Sequence, residues 1–70
     1  MREEQIYTLL VRLIAQGASL EEQTREGQRF MLCHEGKRVP VPGALALKLV
    51  REGRVRASCK MQGRTLWFGV

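Results

Sequence analysis

Cys33 and His34 stand side by side, and Cys59 follows 26 positions later, so the chain has two thiols and one imidazole with which to do chemistry. A thiolate activated by histidine needs both side chains on one side of the backbone, whereas neighbours on a strand point to opposite faces. The pair is therefore expected to be an inward thiol and an outward imidazole. All seven acids are glutamates, and without aspartate a Ser-His-Asp arrangement is absent. A structural zinc site takes four ligands in paired spacing, and Cys33, His34 and Cys59 are three without it. No G-x-G-x-x-G or Walker pattern occurs, and Gly27, Gly36, Gly53 and Gly63 sit singly where turns and caps need them. The expectation is a protein that is not an enzyme and carries no cofactor or metal.

The richer chemistry is cationic. In KLVREGRVRASCKMQGR, residues 48 to 64, positive charge falls at Lys48, Arg51, Arg54, Arg56, Lys60 and Arg64 against one acid, Glu52. Residues 1 to 35 carry four arginines against six glutamates, a net −2; residues 36 to 70 carry eight cations against Glu52, a net +7. A field so one-sided is the footprint of a polyanion or of an acidic protein surface. Arginine offers paired donors to phosphate or guanine, and Trp67 offers a ring that can stack on a base or shield arginine stems.

Elements must place these groups. From Glu3 to Gln16, Ile6, Leu9, Leu10, Leu13 and Ile14 repeat at the spacing of an amphipathic helix, with Gly17 as its cap. Residues 18 to 41 admit two readings. One is a hairpin or meander with strands at Ser19 to Thr24, Arg29 to His34 and Lys37 to Val41 and turns at Glu26-Gly27 and Glu35-Gly36. The other opens a short helix with Ser19 and Glu22 as a capping box. The nine-residue spacing of the two turns favours strands. Val39 to Pro42 then reads as extended chain, and Gly43 to Glu52 as a second helix that turns Leu45, Ala46, Leu49 and Val50 inward and ends at Gly53.

Beyond Gly53 the period changes to two. Val55, Ala57, Cys59 and Met61 alternate with Arg54, Arg56, Ser58, Lys60 and Gln62, which predicts a half-buried strand. A turn at Gln62-Gly63 returns Arg64 to Val70 alongside. In that register Leu66, Phe68 and Val70 join the buried face, while Thr65 and Trp67 join the cations outside. The six cations then form one surface along a helix and a hairpin.

Helix, hairpin, helix and basic hairpin make an α+β chain of winged-helix-like outline, a single domain over residues 1 to 70. The blocks LLVRLIAQGASL, EGQRFMLC, EGKRVPV, LALKLVREGRV and GRTLWFGV resemble the YjhX-type toxin family across most of residues 5 to 70, apart from Pro40 and Pro42. That resemblance implies a winged-helix-like fold and inhibition of a DNA topoisomerase. From the residues, the expected function is a small regulator that binds DNA through Lys48, Arg51, Arg54, Arg56, Lys60, Arg64 and Trp67. The alternative is an inhibitor or adaptor that docks the same face on an acidic protein partner. A homodimer through the first helix is a third arrangement, since Tyr7 and Val11 extend its apolar stripe. The longest apolar-rich stretch, Ile6 to Ala15, is about half a bilayer span and lacks the features of a signal peptide. No membrane contact is expected. The cytoplasm is the expected compartment, with both cysteines as free thiols.

Overall fold

A computed structural model describes residues 2 to 70. Helix α1 spans Glu3–Ala15, strands β1, β2 and β3 span Ser19–Gln23, Arg29–His34 and Lys37–Val41, helix α2 spans Gly43–Arg51, and strands β4 and β5 span Val55–Met61 and Arg64–Gly69. The fold is thus α+β, with residues 19 to 23 a strand. The five strands form one antiparallel sheet in the order β3-β2-β1-β5-β4. Two separate hairpins were expected. Instead β5 pairs with β1, Leu20 opposite Trp67, and joins the halves of the chain into one layer.

Both helices lie on one side of that layer. Leu20, Phe30, Leu32 and Val41 from the sheet, Tyr7, Leu10 and Ile14 from α1, and Leu45, Ala46 and Leu49 from α2 make the core, closed at its ends by Ala18 and Val55. The buried stripe of α1 is Tyr7, Leu10 and Ile14, while Leu9, expected inside, is 43% exposed. The helix is rolled to seat the larger Tyr7 ring, whose hydroxyl donates to Glu52 at 2.5 Å, with the Lys48 ammonium 4.3 Å from the ring centroid.

Both helices stop where glycine lets the backbone turn left-handed. At Gly17, φ is +108°; its N–H donates to Ile14 O, and the N–H of Ala18 reaches back to Leu13 O at 3.0 Å. Gly53, with φ +69°, repeats the pattern through Val50 O and Leu49 O. These paired bonds satisfy carbonyls that a helix end otherwise leaves open. Pro42 precedes α2, where its fixed φ is compatible with a helix start, and Pro40 lies on the outermost strand β3, where a missing donor is tolerated.

One residue decides the orientation of the last hairpin. The turn at Gln62-Gly63 forms as expected, pairing Met61 with Arg64, Lys60 with Thr65 and Cys59 with Leu66. The register then slips between Ala57 and Cys59, so that Ala57 opposes Trp67 and Arg56 opposes Phe68. Such a bulge at Ser58 breaks the alternation, because each residue beyond it changes face. Val55, Ala57 and Trp67 therefore face the helices, while Cys59, Met61, Leu66 and Phe68 face the opposite side. Sequence periodicity placed Trp67 outside and Phe68 inside, and the structure reverses both.

The core is small, so single truncations should be costly. Leu49→Ala, at a fully buried position, is expected to lower unfolding free energy by about 2–5 kcal/mol in urea. Leu47→Ala, on the exposed side of the same helix, should change it by less than about 0.5 kcal/mol.

Candidate nucleic-acid interface

The side of the sheet away from the helices is uncovered. Alternation from the core residues places Arg29, Met31 and Cys33 of β2, Arg38 and Pro40 of β3, Ser19, Glu21 and Gln23 of β1, Arg64, Leu66 and Phe68 of β5, and Arg56 of β4 on this face. At its centre is Glu21, the one buried charged residue among those described, 3% exposed. Arg64 Nη1 donates to Glu21 Oε1 at 3.0 Å, while Arg38 Nη2 and Gln23 Nε2 donate to Oε2, the latter at 3.0 Å. One carboxylate thus gathers donors from β1, β3 and β5.

The electrostatic consequence is mutual. Burial works to raise the Glu21 pKa, yet the hydrogen bonds from Arg64, Gln23 and Arg38 outweigh it and hold the carboxyl below its ordinary value of 4.5. Arg38 is held above its own ordinary value, chiefly by the hydrogen bond to Glu21. With side chains 50% and 47% exposed, Arg38 and Arg64 are anchored at one end and open to solvent at the other. Arg29 and Arg56 make no ion pair among the described residues. Four arginines against one glutamate leave this face at a net +3, interleaved with Met31, Leu66 and Phe68.

The seven residues singled out by sequence do not form one surface. Arg56 and Arg64 lie on the uncovered face. Lys60 pairs with Thr65 on the other side of the hairpin, beyond the bulge. Lys48 lies over Tyr7, and Arg51 and Arg54 are exposed around the end of α2. Trp67, expected to stack beside the cations, packs against the core and donates Nε1–H to Glu22 at 3.1 Å. The aromatic ring among the arginines is instead Phe68, opposite Arg56 and 42% exposed.

Arg29, Arg38, Glu21 and Phe68 were missed. One signal was present in β1: SLEEQ sets two glutamates side by side in a short strand, so one faces the helix layer and the other faces away. The cysteines follow the expected alternation with faces exchanged, Cys33 on the uncovered side and His34 on the other, and both Cys33 and Cys59 are free thiols. No cluster of three metal-ligating side chains occurs among the described residues, and no helix is long and apolar enough to cross a membrane.

Because the Glu21 pKa is depressed on folding, the stability it confers is present above its unfolded value and is lost as pH falls through the lower, folded one. Urea midpoints should therefore drop below about pH 4.5 in the wild type. Glu21→Gln should flatten part of that drop and lower stability at pH 7 by about 1–2 kcal/mol through loss of the charged acceptor. Equal pH dependence in both proteins would contradict the role given to Glu21. No family model, no curated protein and no solved structure matches this chain, so the reading of its surface rests on its own geometry.

Proposed function

We propose that the chain is a small, non-enzymatic nucleic-acid-binding regulator that contacts DNA through the uncovered sheet face and the β4–β5 hairpin. The observation that carries this reading is the composition of that face: four arginines, two of them held upright by one buried carboxylate, with Phe68 among them. Arginine donors matched to phosphate and a ring able to stack are the two means by which proteins hold strands with little sequence preference. In this reading α2 and the hairpin after it retain a winged-helix-like relation, the hairpin serving as the wing. Arg51 and Arg54 then stand near its base as secondary contacts.

Affinity for a mixed duplex should fall with a log-log salt slope of roughly 3, taking about 0.9 per phosphate, with Arg29 and Arg56 on one phosphate each and Arg38 and Arg64 sharing a third. Arg29→Ala with Arg56→Ala, which leaves the Glu21 cluster intact, should cut the slope by about two units. Lys48→Ala with Arg51→Ala removes the same charge and should cost less. A flat salt titration, or equal loss from both double variants, would exclude the sheet face as the contact.

The mixture of arginine with half-exposed Met31, Leu66 and Phe68 also suits the centre of a protein interface. It supports a second reading, docking on an acidic protein such as a DNA-processing enzyme, which is also what the YjhX-type resemblance implies. Stoichiometric recovery of one protein after nuclease treatment would favour that reading over direct DNA contact.

A further inference from the structure

Where the β4–β5 turn meets the end of β1, a cleft of about 290 Å³ opens, lined by Gln23, Arg25, Arg38, Gln62, Gly63 and Arg64. Three arginines and two glutamines surround it, and no acid lines it. We propose that this cleft is a subsite for a single phosphate group.

Each arginine on the wall of this cleft is held by a contact of its own. Arg38 and Arg64 are bound from below by the two oxygens of Glu21, one hydrogen bond each, out of the five N–H donors a guanidinium carries. Arg38 has one further partner, the Cys33 thiol, and the other donors of both guanidiniums are left for a ligand. Arg25 is steered differently. The N–H of Thr24 donates to Gly63 O at 3.1 Å, which ties the end of β1 to the hairpin turn. The Arg25 stem lies along Gly63, where a Cβ would stand 3.7 to 3.9 Å from its Cβ, Cγ and Cδ. Its guanidinium has no acceptor among the described residues, and Gln62 adds an amide to the rim.

Glu21 does not cancel the site. Its carboxylate is buried and already satisfied by three donors, so it fixes two guanidiniums without lying in the cleft. A tetrahedral oxyanion matches such a set, because planar guanidiniums can each present two parallel N–H groups to a pair of phosphate oxygens. The volume is at the foot of the range of about 300–1,000 Å³ found for small-molecule sites, which suits one phosphate group rather than a nucleotide. Assigning that phosphate to a bound strand rests on the nucleic-acid reading above; the oxyanion chemistry does not.

The test is a titration of isotopically labelled protein with inorganic phosphate against chloride at constant ionic strength. Saturable shifts are expected at the amides of Gln23, Arg25, Gln62 and Gly63. Arg25→Ala, which leaves the Glu21 cluster whole, should abolish them, whereas Arg12→Ala removes an equal charge from α1 and should not. With duplex DNA, Arg25→Ala should weaken binding about tenfold and make the salt slope shallower by about one unit. Unsaturable shifts, or saturation that survives Arg25→Ala, would overturn the subsite even where DNA still binds. Saturable phosphate binding in a wild type that ignores DNA would uphold the subsite and remove the nucleic-acid reading instead. Phosphate binding lost with DNA affinity unchanged would overturn its assignment to the strand.

Discussion

A carboxylate at the middle of a sheet sets the terms for this molecule. Glu21 is on the central strand, and removing its charge from water is tolerable only because donors reach it from three directions. Two of those donors, Arg38 and Arg64, come from residues 17 and 43 positions away, so the requirement acts as a cross-tie. Strands β3 and β5 must arrive in the register that delivers Arg38 and Arg64, or the charge is left stranded. The arrangement that satisfies the acid also fixes the outward direction of two arginines. Structural necessity and surface chemistry are here the same set of bonds.

Much of the architecture was legible locally. Both helices, their glycine caps, three strands of the first half and the Gln62-Gly63 turn lie where periodicity and turn chemistry put them, because each depends on residues a few positions apart. Two features were not legible. The pairing of β1 with β5 depends on residues about 45 positions apart, for which alternation in either strand carries no signal. The bulge at Ser58 leaves the apolar-polar pattern of Val55 to Met61 unchanged while reversing the side to which half of it belongs. A pattern of period two records alternation and not its phase.

That phase error accounts for the fate of the candidate site. The concentration of charge in the second half was read from composition, but a single continuous face required an unbroken strand. With the bulge in place, the cations divide between the end of α2, the two sides of the hairpin and the uncovered face. Arg29 from the acidic first half, and Arg38 from outside the 48 to 64 run, complete that face. The contribution of Arg29 was hidden by the net negative charge of residues 1 to 35, and Arg38 stands ten positions before the cationic run that begins at Lys48.

The two outermost strands bear on what the molecule can become at high concentration. A layer with one bare side invites other chains to extend it at its rims. Strand β3 offers Pro40, which has no hydrogen to donate, beside Lys37 and Arg38; strand β4 is bent at Ser58 and bears Arg56 and Lys60. Such margins are poor templates for an incoming strand. Fibrous stacking is thereby discouraged without any cover over the arginine-rich side, which stays available for a ligand rather than for another copy's edge.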